Sequence, residues 1–286
     1  MIEKGEIAAF ISEIAVIVVL YNTNFYESDA CISLHKSLEK LNPSLKLSYY
    51  VYDNSLKANS ENLEKFEADD ISYVHNSSNL GLSKPSNDGA IQAKKDGKKW
   101  VFFTNPDTFY HVDYFYELYK SYLLNKQVEL FAPILVSNQN IVSPANYKNF
   151  IGSSPKTVEV GISDLDNKLI LYSGMFITIN AFEKTGGFNN DIKLDFMDCY
   201  FSENYKNLYK TFFLLDVKCI HDLSSSEKNT EKVLRRFGFY CEGAYHFSQT
   251  KREFTQLFIL CFLRALKLCY KFKNMRFILV PFKKFF

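Results

Sequence analysis

The run Ile-Ala-Val-Ile-Val-Val-Leu at positions 14–20 leads directly into Tyr21-Asn22-Thr23-Asn24 and decides the fold. Apolar side chains fill every position of the run, where a half-exposed strand would alternate apolar and polar residues. This pattern is typical of a strand buried on both faces, as in a parallel sheet. The polar cluster that follows marks the carboxyl end of that strand, where ligands bind in α/β sheets.

The same unit of buried strand and polar cluster recurs three more times before residue 109. The strands are predicted at 47–52, 71–74 and 100–103. Their polar clusters are Asp53-Asn54-Ser55, Asn76-Ser77-Ser78-Asn79 and Asn105-Pro106-Asp107-Thr108. Helices are predicted between the strands at 28–41, 63–66 and 85–95. This alternation predicts a doubly wound, Rossmann-like α/β sheet whose polar clusters share one crevice. Because Asn, Asp and Ser are also common turn residues, each cluster alone is equally consistent with an ordinary turn.

The pattern changes after residue 108. Strands are predicted at 128–136 and 211–220, with a long strand or strand pair at 169–179. Helices are predicted at 112–125 and 181–185, within an acidic segment at 191–210, and from 231 to about 273. We therefore expect an α/β domain over residues 1–222 and a helical C-terminal extension over residues 223–286.

Composition excludes several classes of protein. Apolar residues make up 47% and charged residues 23% of the 286 residues, which excludes disordered, collagen-like and disulfide-stapled chains. The net charge of +2 gives no sign of a nucleic-acid partner. The six cysteines form no Cys-x-x-Cys pair, and no leader or membrane-spanning run is recognised. We expect a cytoplasmic protein.

The last 36 residues differ from the rest in charge. They carry nine basic residues and one acid, a net charge of +8, whereas the first 250 residues carry −6. A helix over 254–272 would be apolar around most of its circumference, with Arg264, Lys267 and Lys271 along one edge. Such a helix suits peripheral attachment to the inner face of the cytoplasmic membrane. It also suits packing on the protein itself or on a second subunit, so formation of a homodimer is a further alternative.

Three aspartates, in two segments of the chain, carry candidate chemistry. Asp107 follows a buried strand, where a carboxylate can reach a divalent cation that also binds a substrate diphosphate. Asn-Pro-Asp is also a common turn sequence. Asp195 and Asp198 lie three residues apart. They are either carboxylates that take part in the reaction or acidic residues at the start of a helix, where the helix dipole stabilises negative charge.

The order of these motifs resembles the family 2 glycosyltransferases of the GT-A fold. The similarity is greatest to the rhamnosyltransferase-like branch that acts in bacterial surface polysaccharide synthesis, and it covers about residues 14–250. The residues that carry it are Val19-Leu20-Tyr21-Asn22, Asp53-Asn54-Ser55, Asn79-Leu80-Gly81, Asn87-Asp88-Gly89, Asn105 to Thr108, Ser173 to Ile177, Ala181 to Phe188, Leu194 to Asp198 and His221.

The resemblance implies a role for each matching residue. It implies a Rossmann-like nucleotide-binding half and an acceptor-side half, with Asp107 and His221 holding Mg²⁺ or Mn²⁺. It places the catalytic base at Asp198. The implied donor-binding residues are Tyr21, Asn22, Asp53, Asn79, Asn87 and Asn105. The implied acceptor-side residues are Ser173, Gly174 and Asp195.

The implied activity is an inverting transfer of a sugar from a nucleotide-diphosphate donor to a saccharide hydroxyl. The expected donor is dTDP-rhamnose or a UDP-hexose. The expected acceptor is an oligosaccharide or lipid-linked glycan, as in lipopolysaccharide O-antigen synthesis. The chain departs from the family pattern at Asn105, which replaces the first metal-motif acid, and at 199–203, which lacks an expected Arg. These departures keep open a catalytically dead carbohydrate-binding or scaffold subunit. A sugar nucleotidyltransferase is a second alternative, because it could share the α/β layout.

Overall fold

Strands and helices alternate through the first half of the chain, and three helices end it. A computed structural model describes residues 4–58, 65–66, 71–221 and 228–286. Its strands are β1 (Ile14–Leu20), β2 (Ser48–Asp53), β3 (Ser72–His75), β4 (Trp100–Thr104), β5 (Thr108–Phe109), β6 (Leu130–Ser137), β7 (Asn140–Ser143), β8 (Ala145–Lys148), β9 (Ile151–Ser153), β10 (Gly161–Asp164), β11 (Lys168–Leu169), β12 (Met175–Thr178) and β13 (Thr211–His221). Its helices are α1 (Lys4–Ser12), α2 (Asp29–Leu41), α3 (Ser83–Lys95), α4 (Tyr114–Leu124), α5 (Ile179–Lys184), α6 (Met197–Leu208), α7 (Thr230–Phe247), α8 (Lys251–Phe272) and α9 (Arg276–Phe285).

The main sheet has the strand order β10-β13-β6-β12-β4-β1-β2-β3, and β5 and β7 pair with β13 and β6. Strands β1 to β4 are all parallel to their neighbours within this group, with Leu20 opposite Asp53 and Val18 opposite Thr104. β12 is antiparallel to β4 and to β6. The carboxyl ends of β1, β2 and β4 therefore lie at one edge, as the sequence predicts, and the predicted α/β fold is confirmed.

Strand β1 is buried along its whole length because helices cover both faces of the sheet. Ile14, Val16, Val18 and Leu20 join one apolar cluster with α1, α2 and α4. Ala15 and Ile17 join a second cluster with α3, α6 and the three C-terminal helices. The continuous apolar run follows from this burial on both faces.

The C-terminal helices are part of the second apolar cluster. Phe237 of α7, Leu257 and Cys261 of α8 and Phe277 of α9 are buried in it. The predicted boundary between residues 222 and 223 lies outside the described residues, so the division into two domains stays a prediction. No helix in the described part of the chain combines the length and hydropathy that a membrane-spanning segment requires.

The predicted elements can be compared with the observed ones one by one. The helix predicted at 63–66 falls mainly on residues outside the described ranges. The helix predicted at 231–273 is two helices, because Thr250 and Glu253 form a capping box that starts α8 anew. The predicted strand pair at 169–179 is β11 and β12, separated by a turn. Helices α1 and α9 were not predicted.

Candidate functional site

The loops after β1, β2 and β3 are tied together at the carboxyl edge of the sheet. The backbone N–H of Asn22 donates to Ser55 Oγ at 2.7 Å. Asn54 donates from its side chain to the Gly81 carbonyl at 2.7 Å and accepts from the Leu80 backbone at 3.3 Å. The predicted convergence of these polar clusters is therefore present in the fold, with Asn54 as the link between the second and third loops.

Asp53 lies buried at the centre of this edge. One carboxylate oxygen accepts from the backbone N–H of Ser55 at 2.9 Å, and the other accepts from the Tyr73 hydroxyl at 2.8 Å. Each oxygen keeps a second lone pair. The carboxylate is thus held in one orientation by groups of its own chain, which prepares it to accept one further hydrogen bond.

Asn79 and Gly81 shape the loop after β3. Both have positive φ, 48° and 81°. A Cβ at Gly81 would collide with the backbone of Lys193, whose carbonyl accepts a 2.6 Å hydrogen bond from the Leu82 N–H. The loop that contains Asn79 is therefore packed directly against the segment that leads to Asp195.

Asn87 makes a different set of contacts from the other predicted donor residues. Its side chain donates to the Phe188 carbonyl at 2.7 Å and accepts from the Phe188 N–H at 3.0 Å. It also donates to Asn190 at 2.8 Å. This two-way amide pairing fixes the turn after Gly187, so the structure gives Asn87 a positioning role, and its contact with a donor stays a prediction.

A hydrogen-bonded group of side chains surrounds the turn after β4. Ser173 Oγ accepts from the Asn105 N–H at 3.1 Å and from the Thr108 hydroxyl at 3.0 Å. Thr108 Oγ lies 2.9 Å from His221 Nδ1, and these two residues are paired across β5 and β13. The N-terminus of α2 also contacts this turn, because the Ala30 N–H donates a hydrogen bond to the Pro106 carbonyl. The arrangement fixes Asn105 to Thr108 and His221 relative to each other.

Asp107 and His221 form the candidate metal-binding pair. His221 Nδ1 lies 3.5 Å from Asp107 Oδ1. His221 is buried, whereas the Asp107 side chain is half exposed. Among the described residues no group of three or more His, Cys, Asp or Glu side chains is placed to hold a metal. One carboxylate and one imidazole fit a cation that takes its other ligands from a diphosphate and water.

Asp198 lies in the first turn of α6, after Phe196, which has a strained positive φ of 73°. Its Oδ1 is closed to solvent and has no hydrogen-bond partner among the described residues. Burial raises the pKa of the Asp198 carboxyl from 3.8 to about 7, the Tyr172 backbone N–H lowers it, and the charge of Asp195 raises it. A carboxylate with these properties can take a proton near neutral pH.

The turn at 172–174 connects the two candidate centres. The backbone N–H of Tyr172 lies close enough to Asp198 to lower the pKa of its carboxyl, and the Ser173 hydroxyl accepts hydrogen bonds from the turn that carries Asp107. Gly174 has a φ of 83°, and a Cβ there would lie 2.5 Å from Pro133 Cγ, so no larger residue fits. The predicted acceptor-side residues Ser173 and Gly174 thus lie between the candidate base and the candidate metal pair.

Asp195 is paired with an arginine from the C-terminal extension. Arg236 of α7 donates from Nε and Nη2 to the two Asp195 oxygens at 3.2 and 3.4 Å. The neighbouring Arg235 reaches the hydroxyl of Tyr21 at 3.4 Å. Helix α7 approaches this closely because Gly243 packs on the Asp195 backbone, where a Cβ would collide. Helix α7 therefore forms one wall of the crevice and brings two cations to it.

Sequence reasoning missed Arg235 and Arg236. One indirect signal for these arginines is present in the sequence. Residues 199–203 lack the arginine that the family pattern has there, and the next predicted helix carries two arginines near its start. No spacing rule connects residue 236 to residue 195, because the contact depends on how α7 packs.

Comparison with solved structures gives the fold. S. aureus TarS is 14% identical, with a TM-score of 0.54, over 94% of this chain and 55% of that one. GalNAc-T7 with UDP, GalNAc and Mn²⁺ is 11% identical, with a TM-score of 0.55, over 93% of this chain and 55% of that one. S. aureus TarS 1-349 in complex with UDP-GlcNAc is 13% identical, with a TM-score of 0.55, over 95% of this chain and 88% of that one.

The chain has the GT-A-like fold of glycosyltransferases. It spans about half the length of the first two structures. No protein-family model and no curated protein matches the chain. The expected fold is thereby confirmed, and the rhamnosyltransferase-like branch stays a prediction.

Proposed function

We propose that this protein is an inverting glycosyltransferase that moves a sugar from a nucleotide-diphosphate donor to a saccharide hydroxyl of a bacterial surface glycan. The observation that carries the proposal is at Asp198, where one buried carboxylate oxygen has no hydrogen-bond partner among the described residues. The backbone of Tyr172 influences this carboxyl, and the next residue, Ser173, is hydrogen-bonded to the Asp107 turn. Sugar transfer needs these two functions side by side, a base for the acceptor and a site for the leaving diphosphate.

The donor lies along the carboxyl edge of β1, β2 and β4. Each Asp53 oxygen accepts one hydrogen bond from the described residues, from Ser55 or from Tyr73, and this orientation suits a further hydrogen bond from the imide N–H of a pyrimidine. Asn22 and Asn79 line the same edge. TarS 1-349 is in complex with UDP in one structure and with UDP-GlcNAc in another, and this supports a nucleoside diphosphate sugar here. The proposed donors are dTDP-rhamnose and UDP-hexoses.

Asp107 and His221 are the residues that would hold Mg²⁺ or Mn²⁺. GalNAc-T7 is crystallised with Mn²⁺, which agrees with this assignment. When bound, such a cation neutralises the negative charge that grows on the leaving diphosphate. Thr108 fixes the imidazole through its 2.9 Å contact with Nδ1, and Ser173 fixes Thr108.

Asp198 is the proposed base. The acceptor hydroxyl oxygen attacks the anomeric carbon, and its proton passes to the Asp198 carboxylate. The bond between the anomeric carbon and the diphosphate oxygen breaks at the same time, and the nucleoside diphosphate leaves with that electron pair. One displacement inverts the anomeric configuration. A base with a pKa of about 7 is ionised at mildly alkaline pH and still basic enough to take the proton.

A thermal-shift panel tests the donor site. The folded protein is melted with dTDP-rhamnose, UDP-glucose, UDP-galactose and UDP-GlcNAc, each with and without Mn²⁺. A ligand at about 100 times its Kd stabilises the fold by about 2.7 kcal/mol. We expect at least one nucleotide sugar to raise Tm in Mn²⁺, and Asp107→Asn to lose the Mn²⁺-dependent part of that rise.

The matched control is Asp166→Asn, an exposed aspartate in the loop before β11. It should respond to donor and Mn²⁺ as the unsubstituted protein does. No stabilisation by any nucleotide sugar would contradict the proposal. Release of a nucleoside diphosphate from a donor by the unsubstituted protein would exclude the dead carbohydrate-binding or scaffold subunit.

A further inference from the structure

Helix α8 carries a row of exposed apolar side chains on the side away from the core. The row consists of Ile259, Leu263, Leu266 and Tyr270, all between 42% and 90% exposed. Their spacing of four, three and four residues places them on one line along the helix. The opposite side of the same helix is buried through Leu257, Cys261 and Ala265. Packing on the protein therefore accounts for one side of α8 and leaves this row uncovered.

Helix α9 extends the same surface. Met275, Leu279, Phe282 and Phe286 are also exposed and follow the same helical spacing. The rings of Phe262 on α8 and Phe282 on α9 meet edge-on, with centroids 5.9 Å apart, so the two rows are continuous. We call the surface formed by these eight exposed apolar side chains, on α8, on α9 and at the two ends of α9, the apolar face.

Basic side chains border the apolar face. Lys267, Lys271 and Lys283 directly follow Leu266, Tyr270 and Phe282 in the chain and are exposed. Lys267 and Lys283 form no ion pair with any described residue. No acid follows Glu253, and the last 36 residues carry a net charge of +8. Arg276 and Lys284 of α9 pair with Glu231 and Glu242 of α7. The surface therefore combines a large exposed apolar area with lysines that pair with no acid among the described residues.

We propose that the apolar face docks on the surface of an anionic lipid bilayer, with its side chains in the interfacial region and its lysines among the headgroups. Interfacial helices bind by this combination of buried apolar area and attraction to anionic lipids. A second copy of the chain fits less well as the occupant, because pairing two such faces would bring like charges together. The proposal goes beyond the transfer reaction and does not depend on Asp198 or on the donor site.

Vesicle co-sedimentation of the full chain tests the proposal. The vesicles contain phosphatidylcholine alone or phosphatidylcholine with phosphatidylglycerol. We expect the protein to sediment with the anionic vesicles. The triple variant Leu263→Ser, Leu266→Ser, Tyr270→Ser should lower the partition coefficient by more than about tenfold, because three apolar side chains no longer enter the bilayer.

Three further variants sharpen the test. The matched control Leu124→Ser, Ile162→Ser, Leu208→Ser removes three exposed apolar side chains from α4, β10 and α6 and should bind as the unsubstituted protein does. Lys267→Gln, Lys271→Gln, Lys283→Gln should weaken binding to anionic vesicles and reduce its sensitivity to salt. The double variant Leu279→Ser, Phe282→Ser repeats the apolar test on α9, in case the α8 variant folds poorly.

Several outcomes would overturn the proposal. The first is that the unsubstituted protein does not bind anionic vesicles. The second is that the α8 and α9 variants bind as well as the control variant. The third is that the control variant loses as much binding as the α8 and α9 variants. A dimer on size-exclusion chromatography that the α8 variant converts to a monomer, without vesicle binding by either form, would assign the face to a second copy instead.

Discussion

Asp198→Asn should change how the stability of the protein depends on pH. The Asp198 carboxyl has a pKa of about 7 in the folded chain against 3.8 for an ordinary aspartate, mainly because burial disfavours its charge. A group whose pKa is raised by folding gives its full stability below the unfolded pKa, and that stability is lost as the pH rises through the folded pKa. The unsubstituted protein therefore loses stability between about pH 4 and pH 7 from this residue.

The size of the effect follows from the shift. The difference between 3.8 and about 7 is about 3 pKa units. At about 1.4 kcal/mol per unit, ionising Asp198 costs the fold about 4 kcal/mol at alkaline pH. Part of this cost is already present at pH 5, so about 2–3 kcal/mol remains to appear between pH 5 and pH 8. Asparagine cannot ionise and carries none of it.

The assay is urea unfolding of both proteins at pH 5 and at pH 8. The free energy of unfolding of Asp198→Asn minus that of the unsubstituted protein should rise by about 2–3 kcal/mol over this range. Taking the difference cancels the titration of all groups that do not interact with Asp198. Asp216→Asn, an exposed aspartate on β13, is the control and should show a nearly constant difference. A difference for Asp198→Asn that stays flat or falls with pH would refute the reasoning.

Two further predictions concern the walls of the crevice. Arg236→Gln should raise the pH at which transfer reaches half its maximal rate. Without the arginine, the negative charge of Asp195 is no longer balanced and disfavours ionisation of Asp198 more strongly. The pH profile of kcat measures this shift. Gly81→Ala should lower the free energy of unfolding by about 1–3 kcal/mol. A positive φ is strained for alanine, and the new Cβ would collide with the backbone of Lys193. Urea unfolding measures this loss.

Each of these variants has a matched control. Arg276→Gln also breaks an arginine–carboxylate pair to α7, the one with Glu231, and should leave the pH profile unchanged. Gly97→Ala shares the positive φ but meets no atom within 4 Å, so its smaller loss of stability isolates the strain from the collision. Equal pH profiles for Arg236→Gln and Arg276→Gln, or equal losses for the two alanine variants, would contradict the respective explanation.

The sequence predicts the parallel half of the sheet well because burial leaves a direct mark there. The run at 14–20 is apolar at every position since helices cover both faces of β1. Parallel strands then bring Asn22, Asp53 and Asp107 to one edge without further information. Helix α1 was missed, although Ile7, Phe10 and Ile11 are buried at helical spacing, because this segment was considered only as a candidate leader or membrane-spanning run.

The remaining parts of the site depend on tertiary contacts that no local pattern records. The raised pKa of Asp198 depends on its burial in the folded chain. The pairing of Arg236 with Asp195 depends on the close packing of Gly243 in α7. Asn87 matches a motif, yet its amide is engaged with the Phe188 backbone, which only the fold reveals.

The central claim is that Asp198 is the base of a nucleotide-sugar transferase. The direct measurement is the rate of transfer at saturating donor for Asp198→Asn and Asp195→Asn, with the nucleotide affinity of each variant determined alongside. We predict that Asp198→Asn binds the donor normally and transfers about 10²–10⁴-fold more slowly, the contribution of a positioned base, while Asp195→Asn loses less. An Asp198→Asn variant that transfers at the unsubstituted rate, whatever Asp195→Asn does, would contradict the account.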